Sequence, residues 1–126
     1  MKTTIKYIEL KSGFSDNGPA WIGEIKYSKT RTTIYFNNKA FIKANTAKGN
    51  YIDIETGDEY WISSVKKKGT DRHWAGNGKI IIDKNIVDKY LKITGKKELG
   101  NNYTVQDIPA IYPIERIKNK ENAKLI

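Results

Sequence analysis

The 126-residue sequence contains no cysteine, a single histidine and only three prolines. Without cysteine the chain has no disulfide, no thiolate nucleophile and no cysteine-ligated metal, and one histidine argues against a zinc site. No apolar run approaches the roughly 20 residues of a membrane-spanning helix, and the N-terminus shows no apolar signal segment. We therefore expect a cytoplasmic protein that has no metal, no cofactor and no membrane association.

Acidic residues are scarce relative to basic ones. The chain has 23 Lys and Arg against 14 Asp and Glu, which gives a net charge of +9. Residues 66–97 hold ten of the basic residues and three of the acidic ones, so this segment supplies seven of the nine excess charges. A local excess of this kind attracts polyanions over about a Debye length, although many lysine-rich proteins carry such charge without using it.

Short segments of alternating apolar and polar residues predict β-strands through most of the chain. These segments are residues 3–10 and 20–28, "TTIYF", "KAFIKA", the hairpin "YIDIETGDEYWISSV" and "KIIID". Asn37-Asn38 suits a tight hairpin turn because asparagine tolerates positive φ. In the later hairpin we expect Ile52 and Ile54 to face the core, and Asp53 and Glu55 to face solvent.

One segment changes to a helical period. Residues 84–94 predict a short amphipathic helix that begins after Asp83 as N-cap and ends at Gly95. Its apolar face would contain Ile86, Val87, Tyr90, Leu91 and Ile93.

Five to seven short strands with tight turns and one late helix predict an α+β, mainly β fold. We expect a strongly bent antiparallel sheet or a small SH3-like or OB-like barrel. A chain of this length forms one domain. We expect that domain to span residues 1–116, followed by a polar C-terminal tail at residues 117–126.

The stretches "SDNGPAWIG", "YFNNKAF" and "DIETGDEYWISSVKKKGTDRHWAGNGKIIID" resemble a group of small, uncharacterised bacterial proteins. The resemblance covers most of residues 5–95 and rests on the order of the glycines, the tryptophans and "DRHWAG". It implies no activity, ligand or catalytic residue.

The segment "KKKGTDRHWAGNG", residues 66–78, concentrates the residues that suit a nucleic-acid interface. Lysine contacts phosphate as a point charge, arginine as a fork, and an exposed tryptophan stacks on a base. Our leading hypothesis is a non-enzymatic domain that binds RNA or single-stranded nucleic acid. The predicted contacts are Lys66, Lys67, Lys68, Arg72, Lys89 and Lys92 to phosphate and Trp74 to a base.

Two alternatives remain open at this point. The first is a protein-interaction module, such as an inhibitor or antitoxin, in which the same lysines steer association with an acidic partner. The second is a small phosphodiester-cleaving enzyme centred on His73, the only side chain whose ordinary pKa lies near neutrality. The glycines of "GNG" lack the ending of a phosphate-binding loop. We interpret Asp53, Glu55, Asp58 and Glu59 as solvated carboxylates rather than as metal ligands.

Overall fold

The computed structural model describes residues 3–13, 18–65 and 79–118. The described part of the protein is mainly β, with 42% of its residues in strands and one short α-helix, which confirms the predicted fold class. The strands are β1 (Thr3–Leu10), β2 (Ala20–Tyr27), β3 (Thr33–Phe36), β4 (Lys39–Lys43), β5 (Tyr51–Asp53), β6 (Glu59–Ser64), β7 (Ile80–Asp83) and β8 (Tyr103–Gln106). The helix α1 spans Val87–Thr94.

Strands β1 to β6 form a closed antiparallel barrel in sequence order, because β1 pairs with β2 along one edge and with β6 along the other. Alternation sends every second side chain into the barrel. Those residues form one buried cluster, which comprises Ile8, Ile25, Ile34, Phe36, Phe41, Tyr60 and Ile62, and Ile108 from the segment after β8 packs into the same cluster. Each of these six strands is therefore paired on both edges over part of its length.

Two local sequence features fit the barrel, and the first of them, the Asn37-Asn38 turn, was predicted. The β3–β4 turn holds Asn37 and Asn38 at φ 47° and 62°, the left-handed conformation that asparagine tolerates. Gly23 lies on the inner face of β2, where an added Cβ would stand 2.6 Å from Cε1 of the Phe36 ring. Because glycine has no Cβ, the Phe36 ring can pack against the backbone of β2 in the core.

Strands β7 and β8 extend the sheet in a direction that the sequence pattern did not predict. β7 pairs in parallel with the first half of β2, and β8 pairs in parallel with β7. Residues 103–106 were not among the predicted strands, since "YTVQ" is too short to show a clear period. The strand forms because β7 offers it an edge, which is a non-local cause.

The helix confirms its predicted ends and corrects one face residue. Asp83 accepts a hydrogen bond from Asn85 N, a 3₁₀ turn follows at Lys84–Ile86, and Gly95 ends α1 at φ 68°. Ile86 and Tyr90 are buried against the outer face of β1, β2 and β7. Ile93 is instead 43% exposed, because it lies after the buried turn and faces away from the sheet. Neither this helix nor any other in the described ranges is long and apolar enough to cross a membrane.

The segment after β8 covers the outer face of β3 and β4. A helical turn at residues 114–118 places Ile117, which has no exposed surface, against Tyr35, Ala40 and Ile54. Packing of the chain therefore reaches at least Ile117, one residue past the boundary expected from composition.

The β5–β6 hairpin has the two faces of β5 reversed from our expectation. Asp53 stands opposite Phe41, whose side chain fills the barrel, and only 2% of Asp53 is exposed. Its Oδ1 accepts a hydrogen bond from Glu55 N at 2.8 Å, which closes the turn. Ile54 packs under the C-terminal segment instead. The prediction that Asp53 faces solvent was wrong, because both faces of this sheet are covered.

Candidate nucleic-acid interface

Most of the predicted contact residues lie outside the described residues. Segment 66–78, which contains Lys66, Lys67, Lys68, Arg72 and Trp74 together with His73, belongs to the part of the chain that the structure does not describe. The flanking residues are Val65, just after β6, and Lys79, just before β7. β1 and β2 separate β6 from β7, and the register places Val65 level with Glu24 of β2 and Lys79 level with Pro19, so the two attachment points lie toward opposite ends of the strands.

The two predicted contacts on α1 lie on the exposed side of the helix. Lys89 and Lys92 are both exposed, and they line a shallow depression of about 440 Å³ together with Lys96, Asp88 and Leu91. Helical spacing accounts for the grouping, because residues three and four apart lie on the same side of a helix. Leu91 is only half-buried here, since it forms part of the wall of this depression.

Their ion pairing distinguishes these lysines. Lys89 Nζ lies 3.6 Å from Glu24 Oε1, and both side chains keep substantial exposure, so the attraction is weak and screened by salt. Lys92 and Lys96 make no ion pair in the described ranges 3–13, 18–65 and 79–118. Lys96 was not among the predicted contacts, because Gly95 ends the helix before it. The sequence does contain a sign of this grouping, because Lys96 lies four residues after Lys92, the spacing of residues on the same side of a helix.

Exposure separates the aromatic residues of the strands into packing and surface groups. Tyr35, Phe36, Phe41 and Tyr60 are buried, as expected for a small barrel. Trp61 is the large exposed ring of this set, with 42% of its surface accessible. It lies on the outer face of β6, opposite Glu9 of β1 and five residues before Lys66.

The carboxylates of the β5–β6 turn form no metal site. Asp53 is buried in its turn, and Asp58 Oδ2 accepts a hydrogen bond from Thr56 at 3.1 Å. Among the described residues, no three His, Asp or Glu side chains are arranged to hold a metal ion.

Titration shifts among the described residues concern tyrosines. Burial, followed by the charges of Asp53 and Asp58, raises the pKa of Tyr60 to about 12. Burial is also the main cause of the raised pKa values of Tyr51 and Tyr112. A phenol with a raised pKa keeps its proton at neutral pH, so none of these three is activated as a base or nucleophile.

Comparison with known proteins adds no family and no fold relative. No family model, no curated protein and no solved structure matches the chain. The case for function therefore rests on the geometry and the charge of the chain itself.

Proposed function

We propose that this protein is a non-enzymatic nucleic-acid-binding domain for RNA or single-stranded nucleic acid. The observation that carries the proposal is the exposed lysine group of α1. Lys92 and Lys96 stand beside a shallow depression without an acidic partner in the described part of the chain. A lysine without an acidic partner can neutralise a phosphate without first breaking an ion pair. The counterions that were condensed on that phosphate are then released, and their release favours binding.

The charge of the surrounding segment supports the same reading. Residues 79–97 contain six lysines and two aspartates. One of the aspartates, Asp83, is buried and caps the helix, so it contributes little to the outward surface. The basic segment 66–78 joins this region directly through β7, and the two together form the local excess of positive charge.

Base stacking is proposed for Trp74, with Lys66, Lys67, Lys68 and Arg72 as further phosphate contacts. Trp61 is a second aromatic candidate, since its exposed ring lies on the strand that leads into that segment. Stacking tolerates any base, which suits a domain that reads the backbone rather than the sequence.

The test is a salt titration of binding, followed by the fluorescence anisotropy of a labelled single-stranded RNA. Log affinity should fall linearly with log salt, and the double change of Lys92 and Lys96 to Ala should reduce the slope by up to about 1.4, about 0.7 for each contact. The matched control changes Lys43 and Lys48 to Ala. Both are exposed lysines near β4 and β5, across the barrel from α1, and this variant should keep the native slope.

The loop is tested in the same assay. The triple change of Lys66, Lys67 and Lys68 to Ala should reduce the slope by up to about two units. Trp74→Ala should weaken binding by about 1 to 3 kcal/mol at an unchanged slope. A melting curve beside each titration separates lost contacts from lost folding.

Two results would overturn the proposal. An absence of binding to RNA and single-stranded DNA at low salt would leave the lysines as a docking surface for an acidic protein. Cleavage of the RNA that disappears in a folded His73→Ala variant would establish the enzyme hypothesis instead.

A further inference from the structure

A gap in the barrel wall lies where one edge of β2 changes partner. Along this edge, β7 pairs with Ala20–Ile22 and β3 pairs with Lys26 and Tyr27. Residues 23–25 between them therefore have no strand beside them on that side. Part of the gap is filled by the segment after β8, since the Tyr112 hydroxyl donates to the carbonyl oxygen of Glu24 at 3.3 Å. A cavity of about 320 Å³ remains beneath that segment.

The walls of this cavity combine apolar surface with carboxylates. Phe36, Ile108, Pro109 and Ala110 supply apolar surface, while Glu24, Asp83 and Asp107 supply carboxylate groups. In a protein with a net charge of +9, this concentration of carboxylates is unusual, and it borders the basic surface of α1 because Glu24 lies 3.6 Å from Lys89. A pocket with mostly apolar walls and a few convergent polar groups is the usual form of a small-ligand site.

Asp83 has one carboxylate oxygen without a hydrogen-bond partner in the described part of the chain. The residue is 7% exposed, and its Oδ1 accepts from Asn85 N at 3.1 Å, Asn85 Nδ2 at 2.9 Å and Ile108 N at 3.4 Å. Oδ2 has no hydrogen-bond partner among the described residues, and Asp83 lines the cavity. Oδ2 is not among the fully buried atoms that lack a partner, so it keeps accessible surface, and a cationic donor in the cavity could form a charge-assisted hydrogen bond with it.

Two lysines lie near the cavity but make no ion pair with Asp83 or Asp107 among the described residues. Lys89 is near Glu24, and Lys26 Nζ lies 4.7 Å from the centre of the Tyr112 ring. The negative field reaches the cavity wall, because Glu24 and Asp83 add to burial in raising the pKa of Tyr112.

The arrangement of the carboxylates decides which cation fits. Among the described residues no three acidic side chains form a metal-ligand group, so these carboxylates do not converge on one ion. An extended organic cation meets the geometry better, since its charged end can reach Asp83 and Asp107 while its stem lies along the apolar walls. We propose that this cavity binds an ammonium or guanidinium group carried on a short apolar stem. The proposal does not depend on the proposed nucleic-acid interface.

The test is isothermal titration calorimetry of the full chain at low salt with agmatine, and with butanediol as a neutral probe of similar length. Agmatine should bind at a single saturable site, and butanediol should not bind. A short peptide with a capped arginine forms a parallel arm. Tighter binding of agmatine indicates a free small cation, and tighter binding of the peptide indicates an arginine side chain of a partner. If neither cation binds, the proposal is wrong.

Three variants locate the site. Asp107→Asn removes one exposed carboxylate and should weaken agmatine binding by about tenfold, as loss of a charge-assisted hydrogen bond does. Ala110→Phe keeps every charge and should abolish binding by filling the cavity. Glu98→Gln is the matched charge control, because Glu98 is exposed and does not line the cavity, and it should bind as the native chain does.

The steric variant also distinguishes a pocket from general attraction to acidic groups. Unchanged binding in a folded Ala110→Phe variant would overturn the proposal, and so would equal weakening by Glu98→Gln and Asp107→Asn. Asp83→Asn is a further variant, and it needs circular dichroism as a folding control because the residue also caps the 3₁₀ turn before α1. Its variant should lose agmatine binding even where circular dichroism shows a native fold.

Discussion

Arg116 contacts Asn38 with two nitrogens: Nη1 donates to Oδ1 at 2.9 Å and Nη2 to the main-chain carbonyl at 2.8 Å. Nη2 also lies 2.9 Å from Glu55 Oε1. The guanidinium thus joins the C-terminal helical turn to the β3–β4 hairpin, 78 residues earlier in the chain. Asn38 has a positive φ, so this contact is made to a turn whose backbone is already fixed.

The Arg116 contact gives the first prediction. Arg116→Lys should lower the free energy of unfolding by about 1 kcal/mol, because an ammonium group cannot make the paired contact and the site is partly exposed. The measurement is urea denaturation. Glu115→Ala is the control, since Glu115 is exposed on the same helical turn and should change stability by less than about half a kilocalorie per mole.

Two glycines should respond differently to alanine. The added Cβ at Gly23 meets a side-chain ring, whereas at Gly49 it meets the main-chain carbonyl of Tyr60. A ring can shift more easily than a paired backbone, so Gly23→Ala should cost about 1 to 3 kcal/mol and Gly49→Ala more. Adding Phe36→Leu should recover part of the loss at Gly23 and none at Gly49. Equal losses in the two single variants would contradict this explanation.

The helix should be held mainly by Tyr90. This residue is fully buried, and its hydroxyl is 2.7 Å from the hydroxyl of Tyr103 on β8. Tyr90→Ala should cost about 3 to 5 kcal/mol, as other aromatic truncations do, and Tyr90→Phe about 1 kcal/mol. Ile93→Ala, on the exposed side of α1, should stay within about half a kilocalorie per mole. A larger loss at Ile93 than at Tyr90 would reverse the assigned helix faces.

A buried ion pair on β1 allows a double-variant test. Glu9 is 2% exposed, its Oε1 accepts from Tyr7 Oη at 2.5 Å, and its Oε2 lies 2.8 Å from Lys11 Nζ. The lysine contact is an ion pair outside hydrogen-bond geometry. Lys11→Met should therefore cost about 3 to 5 kcal/mol by leaving a buried charge unpaired. Adding Glu9→Gln should restore much of that loss, and a purely additive double variant would contradict the coupling.

Alkaline pH should destabilise the fold through Tyr60. Its pKa rises from 10.0 to about 12 on folding, so between these values the unfolded chain releases a proton that the folded chain keeps. The unfolded state then binds fewer protons, and stability falls as pH rises through this window. Below pH 10 both states are protonated, and Tyr60 adds no pH dependence. Urea titrations across the window should show a shallower decline for Tyr60→Phe; an identical decline would mean that Tyr60 does not contribute.

Local chemistry in the sequence was enough to predict much of the barrel. The period of two marks β1, β2 and the two hairpins, and Asn37-Asn38 forms its turn because asparagine tolerates positive φ. Asp83 and Gly95 likewise mark the helix ends through groups that lie within a few residues. Each of these features depends on neighbours in the chain, which is the information that a sequence pattern carries.

Tertiary structure decided which faces are buried and where the cavity lies. Asp53 is inside and Ile93 outside because of what distant segments cover, and β8 exists because β7 offers it an edge. The cavity beside Asp83 arises where β3 and β7 share one edge of β2, and it is completed by a segment some 25 residues later in the chain. These features depend on hydrogen bonds and packing between residues that are far apart in the chain, so a local sequence pattern cannot predict them.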